Sequence, residues 1–271
     1  MSSVKTLTLT KTALRADPPA PPGAESRIAQ KFGGHYAGDW MRRLPASWTP
    51  YIQLARLHRP HGLVVVSLSH LFGLLHAAFL LRAPAAETLR VAAVRRARVE
   101  RPPILYYPFA KRQMFAPQLV LGACMGLAVL VGAAAMGLER PWQEASTRCL
   151  AGATTLWVVA FDTIYAHMDL QDDVKLGVNS LAVFVRGYAR PVLAMLVVGM
   201  AALLHRAGVV AGMGAAYNGI AVAGCSLCAG AIVALLDLGD RASCGKWCIF
   251  GFRFTGISMV TGLLVTYLAS L

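Results

Sequence analysis

The sequence predicts an all-α fold, a polytopic bundle of membrane-spanning helices. Three observations predict it. Hydrophobic residues make up 56% of the chain and charged residues only 14%, against about 25% charged in soluble domains. Six stretches are apolar over lengths near the roughly 20 residues that a bilayer crossing takes. No run of alternating residues bounded by turn signals competes as a strand pattern. A mean hydropathy of +0.54 agrees. An ordinary soluble enzyme, a coiled coil and a disordered chain are excluded. The 25 glycines fit the same reading, because small residues let membrane helices approach closely.

Residues 1–50 read as a polar, flexible tail, and 51–271 as the transmembrane domain. The segment Asp17-Pro-Pro-Ala-Pro-Pro-Gly cannot be helical. The first 16 residues contain Ser, Thr, Lys and Arg but no acid. A mitochondrial transit peptide shares that composition but adds a long amphipathic face, which this segment lacks. The endoplasmic reticulum is therefore favoured over the mitochondrial inner membrane. Trp40 and Leu44-Pro45-Ala-Ser-Trp48 suit the membrane interface.

The six spans fall at 61–82, 115–138, 149–168, 191–207, 209–236 and 249–270. The fourth is short and has His205 and Arg206 at its end. The net charge of +13 comes from basic residues between these spans, with no nucleic-acid-binding motif beside them. It points to topology, anionic lipid headgroups and an anionic substrate rather than to nucleic acid. Nine Lys/Arg lie in residues 1–60, and eight more in 82–112: Arg82, Arg90, Arg95, Arg96, Arg98, Arg101, Lys111 and Arg112. One span separates the two blocks, yet the positive-inside rule wants both on the cytoplasmic side. Either 61–82 does not cross, or an odd number of spans is absent between the blocks.

Four of the thirteen acids fall within twelve residues, Asp162, Asp169, Asp172 and Asp173, where the third span ends. On a helix, Asp162, Tyr165, Asp169 and Asp173 are spaced 3, 4 and 4 and share one face. Unpaired carboxylates at i and i+4 repel, and a divalent cation removes that repulsion. Mg²⁺ typically binds through one or two carboxylates plus substrate phosphates. Carboxylates at a membrane mouth beside Lys175 therefore suggest a Mg²⁺–diphosphate site. The competing reading, a solvated helix end with a snorkelling Asp162, is weakened because Asp162 lies two turns inside apolar sequence. An intramembrane acid is costly and is a functional hypothesis by default.

These residues resemble a known family. Asp162-Thr-Ile-Tyr-Ala-His-Met-Asp-Leu-Gln-Asp-Asp-Val-Lys-Leu-Gly-Val-Asn-Ser180 is similar to the second aspartate-rich motif of the UbiA family of intramembrane prenyltransferases. Arg56-Leu-His-Arg59-Pro60-His-Gly62 resembles the family's opening segment, and Tyr107-Pro108-Phe109-Ala-Lys111-Arg112 with Pro117-Gln118 a further signature. Gly34-His35, Leu44-Pro45, His70-Leu-Phe-Gly73 and Ser243-Cys244 near Trp247 resemble the fungal branch that prenylates polyketide-derived phenols in meroterpenoid pathways.

The resemblance implies nine spans and two facing aspartate-rich motifs. It also implies transfer of a polyprenyl group, farnesyl for example, from its diphosphate to an aromatic acceptor. In this reading Asp169 and Asp173 hold Mg²⁺, and Asp162 and Tyr165 shape the pocket. Lys175, Arg59, Lys111 and Arg112 neutralise the diphosphate. The first motif is missing, since neither Asp nor Asn occurs between Asp39 and Asp162. Mapped on the family, three spans are absent between Arg82 and Tyr107, an odd number, as the charge distribution requires. Asn179 stands where the family usually has Lys. A catalytically dead remnant, or a small transporter with acids on an ion path, are the alternatives.

The remaining candidates read as structural. Cys225-x-x-Cys228 lies inside an apolar span without a partner pair, and packing is favoured over metal or redox use. His167 precedes Asp169 by two residues, so on a helix it points away from the acidic face and packs. The charge run 90–101 reads as a solvated or ill-folded loop.

Overall fold

Nine helical segments carry the chain through residues 60–95, 116–177 and 179–271, the residues described by this computed structural model. They are α1 (Pro60–Leu80), α2 (Ala85–Arg95), α3 (Pro117–Ala135), α4 (Ala145–Ala166), α5 (Leu170–Leu176), α6 (Leu181–Phe184), α7 (Ala189–Ala211), α8 (Ala215–Leu235) and α9 (Arg241–Leu268). A 3₁₀ turn, His167–Asp169, joins α4 to α5. Among the described residues there is no strand. Five helices are long and apolar enough to cross a membrane, the α4–α5 stretch Ala145–Lys175 counting as one, and the apolar part of α1, Val64–Leu80, is shorter. The all-α membrane bundle is thus the fold, with all six expected apolar stretches present as helices.

Local chemistry sets the helix ends. Pro117 opens α3, where a missing N–H costs nothing. The Glu144 side chain caps α4 by accepting from Ser146 N. Asp240 caps α9, accepting from Ala242 N at 3.0 Å and Ser243 N at 3.1 Å. Gly212, at φ +71°, closes α7 in the left-handed region that glycine reaches without strain. These signals shift three expected boundaries. The fourth span runs on to Ala211, so His205 and Arg206 are not its end. The fifth starts at Ala215, and the sixth at Arg241 rather than at 249.

Close approach at glycines builds the seams. A Cβ at Gly73 of α1 would fall on the Val129 carbonyl of α3, and one at Gly132 on the His70 carbonyl. On the next face of α3, Gly122 and Gly126 meet Thr155 and Ala151 of α4. Lipid is as apolar as leucine, so such van der Waals fit and interhelical hydrogen bonds hold membrane helices together. Trp157 is the hub. It is fully buried, donates from Nε1 to Thr255 Oγ1 at 2.7 Å, and meets Phe72 and Phe252 edge-on at 5.7 and 5.1 Å.

These pairings fix the direction of each helix. At the end of α1, His76 Nε2 lies 2.9 Å from Ser146 Oγ at the start of α4, and Leu81 lies against Gly137 just past α3. Near the other end of α4, Met168 lies against Gly245, and Cys248 Sγ donates to the Phe161 carbonyl at 3.5 Å, early in α9. Helices α1, α3 and α9 therefore begin at the end of the bundle where α4 stops, the acidic end. Arg190, at the start of α7, donates to the Leu236 carbonyl at 2.7 Å, which places the start of α7 and the end of α8 there too.

Helices α1 and α3 are consequently parallel neighbours. The chain leaves α1 at the far end and begins α3 at the acidic end. No described helix between them qualifies as a span. The first part of the charge run is not a loop. Through Arg95 it is helix α2, with Val91 and Ala92 packed against the core. The Tyr267 hydroxyl fixes its start, donating to the Ala83 carbonyl at 2.7 Å and lying 2.9 Å from Thr88 Oγ1. Alternate small and apolar residues give this segment a packing face that its charge conceals. Residues 96–101 lie outside the described residues.

Candidate active site

At the acidic end the third span does not continue as one helix. Helix α4 ends at Ala166, the 3₁₀ turn spans His167–Asp169, and α5 resumes at Leu170. A 3₁₀ turn advances about 120° per residue against about 100° in an α-helix. Three such residues rotate Asp169 by about 60° from the line it would share with Asp162. The expected single face is therefore divided, and burial follows the division. Asp162 is 8% exposed inside the bundle, Tyr165 is half-buried, and Asp169 faces outward. Asp169 occupies the position before α5 without a side-chain capping bond, and Asp173 follows four residues on, half-buried.

Lys175 is exposed in the last turn of α5, which ends on Gly177 at φ +65°. Asn179 is exposed, and Ser180 caps α6 by accepting from Val183 N at 3.2 Å. Gln118 at the start of α3 accepts from Leu181 N at 3.0 Å and tethers this segment to the bundle. Arg59, Lys111 and Arg112 lie outside the described residues.

One site residue escaped the sequence reading. Arg241, the first residue of α9, is ion-paired with Asp172. Both side chains are about half exposed. Only an Arg directly after a capping Asp hinted at it, and nothing local pairs it with a residue 69 positions away. His167 packs inside the bundle, as the sequence suggests. Its ring is buried, with Nδ1 2.8 Å from the Thr163 carbonyl and Nε2 without a hydrogen-bond partner among the described residues. Cys225 is buried with its thiol 4.0 Å from Met200 Sδ.

Among the described residues no three or more His, Cys, Asp or Glu side chains gather as a metal cage. Asp169 and Asp173 instead offer two hard oxygen donors at the mouth of the bundle. That set suits Mg²⁺, which keeps several waters and completes its octahedron with substrate phosphates. It would not suit a metal that needs an all-protein site.

Fold and site together define a multi-pass integral membrane protein with an aspartate-rich turn at one end of the bundle. The family model described as the UbiA prenyltransferase family matches residues 103–257, and the chain belongs to that family. It is 34% identical over 145 residues to the mitochondrial 4-hydroxybenzoate polyprenyltransferase of Schizosaccharomyces pombe, covering 54% of this chain and 40% of that protein. It is 33% identical over 165 residues to the 4-hydroxybenzoate octaprenyltransferase of Escherichia coli, covering 59% and 54%. The chain thus spans about half the length of the curated relatives it matches. In fold it is similar to a UbiA homolog from Aeropyrum pernix K1, with a TM-score of 0.56, 21% identity, and coverage of 74% of this chain and 97% of the other.

Proposed function

We propose that this chain belongs to an enzyme that moves a polyprenyl group from its diphosphate to the ring of a phenolic acceptor. The observation that carries the reading is the acidic turn. Two carboxylates one helical turn apart, Asp169 and Asp173, stand where α4 leaves the bundle, and a third, Asp162, is buried just below them. The relatives matched are named for 4-hydroxybenzoate, which makes a hydroxybenzoic acid the first acceptor to test. The polyketide-derived phenol that the sequence suggests is the second. A place in the mitochondrial inner membrane goes with the first, and one in the endoplasmic reticulum with the second.

In this reading Asp169 and Asp173 would hold Mg²⁺, which supplies charge neutralisation of the departing diphosphate. Lys175, with Arg59, Lys111 and Arg112 from the undescribed segments, adds positive charge on the same leaving group. Asp162 and Tyr165 line the approach below. The apolar helices exclude water from the allylic cation until the electron-rich ring carbon attacks it.

The parallel packing of α1 and α3 favours a second reading, that the site is incomplete. An odd number of crossings must connect the two helices, yet the chain between them has no apolar span and no Asp or Asn. The spans and the first aspartate-rich motif that the family resemblance implies would fill this interval. One experiment separates the readings. The full chain in nanodiscs is given labelled farnesyl diphosphate, 4-hydroxybenzoate and Mg²⁺, with EDTA and Asp169→Ala controls. Metal-dependent transfer that Asp169→Ala abolishes supports the active enzyme. Bound diphosphate without transfer supports the incomplete site.

A further inference from the structure

We propose that His167 is a specificity-determining residue, whose bare ring nitrogen Nε2 accepts a hydrogen bond from the phenolic hydroxyl of the acceptor. The inference rests on the reading above and deepens it by naming what recognises the acceptor.

The tautomer comes first. His167 Nδ1 lies 2.8 Å from the Thr163 carbonyl oxygen. A carbonyl can only accept, so Nδ1 carries the proton and Nε2 presents a lone pair. Among the described residues that lone pair has no partner, and it has almost no contact with solvent, in a residue 5% exposed. Buried polar atoms in native proteins are nearly always paired, and leaving one unpaired costs about 1–3 kcal/mol. Among the described residues His76 Nδ1, Gln118 Nε2, Thr147 Oγ1 and Ser226 Oγ are unpaired too, and His167 is the one that lies within the acidic turn. A phenylalanine or leucine would fill the same volume without that cost.

The position comes second. His167 opens the 3₁₀ turn between buried Asp162 and exposed Asp169. The turn is held on one side by α4, through the Thr163 bond, and on the other by α9, where Met168 packs against Gly245. The acceptor ring must lie just inside the carboxylates that take the diphosphate, so that a ring carbon reaches the allylic carbon. An acceptor-only nitrogen at that depth selects a ring bearing a hydroxyl donor. Sites that hydrogen-bond a substrate hydroxyl reject analogues lacking it far more strongly than apolar pockets reject size changes.

The test uses the full chain, labelled with ¹⁵N-histidine, in nanodiscs. His167→Asn keeps a donor near the Thr163 carbonyl but removes Nε2, and His167→Gln restores an acceptor at that reach. The resonance lost in both variants assigns His167 among the seven histidines. Adding 4-hydroxybenzoate is expected to shift the Nε2 signal, while 4-methoxybenzoate leaves it in place. Affinity for 4-hydroxybenzoate should fall about three- to tenfold in His167→Asn, the range of one net hydrogen bond, and recover in His167→Gln. In parallel, ³¹P spectra follow farnesyl diphosphate binding with Mg²⁺. Diphosphate binding with an unmoved Nε2 signal overturns the role of His167 and leaves the prenyl-transfer reading standing. A phenol-specific shift without diphosphate binding overturns prenyl transfer and keeps the phenol site. An unmoved signal without diphosphate binding overturns both.

Discussion

Arg241 holds Asp172 across 69 residues of sequence, tying the acidic turn after α4 to the first turn of α9. The pair commits the Asp172 carboxylate to Arg241, so in the proposed site Asp169 and Asp173 would be the acids that take the metal. Removing the guanidinium would free a third carboxylate beside the proposed diphosphate position. Arg241→Ala should therefore weaken Mg²⁺-dependent farnesyl diphosphate binding severalfold, and Asp172→Asn should not. The pair is half exposed, so neither change should shift thermal unfolding in detergent. Equal loss of binding in both variants would mean that the ion pair, and not the charge balance, matters.

Asp169→Ala and Asp173→Ala should each lower prenyl transfer by about a hundredfold or more, the scale on which removing one transition-state stabilising group acts. Cys225→Ala, inside the α7–α8 packing, should leave it unchanged. Product formation from labelled farnesyl diphosphate measures all three. Unaltered turnover by the Asp169→Ala protein in EDTA would sink the metal assignment.

The parallel arrangement of α1 and α3 makes a prediction about sidedness. In a cysteine-free background, Arg82→Cys and Ala116→Cys should react with an impermeant maleimide from opposite faces of sealed vesicles. Ala116→Cys and Asp240→Cys should react from the same face. Labelling of Arg82→Cys and Ala116→Cys from one side would refute the helix directions derived from the contacts at the helix ends.

Trp157 and Thr255 share a buried hydrogen bond between α4 and α9. Trp157→Phe should cost more than Thr255→Val, because it also removes ring area packed against Phe72 and Phe252. The coupling between them in a double-mutant cycle should be about 0.6–1.7 kcal/mol, the range measured for hydrogen bonds between membrane helices. Unfolding in mixed micelles reads it, and strict additivity would argue that the two side chains do not interact.

Much of this was legible in the sequence. Hydropathy located all six apolar helices, because membrane insertion is decided by composition over about 20 residues. It misplaced their ends where polar residues are helical. Residues 241–248 include Arg241, Ser243 and Lys246, yet they belong to α9 because Asp240 caps it. The acidic positions were legible because their spacing is local. The 3₁₀ turn that divides them was not, since a change of hydrogen-bond register leaves no mark in residue pattern. Nor was the Arg241–Asp172 pair, which depends on how the end of one helix meets the start of another.

The glycine seam between α1 and α3 also bears on the order in which the bundle assembles. Helices α3 and α4 follow one another across the short connection 136–144 and pack antiparallel, with Gly122 and Gly126 against α4. They can close as a hairpin soon after synthesis, at little loop-closure cost. Helix α1 is made earlier but finds its seam only when Gly132 has emerged. Until then its Gly73 face rests against lipid, where a notch between helices has nothing to fill it. Of these three helices the one made first is thus the last to dock.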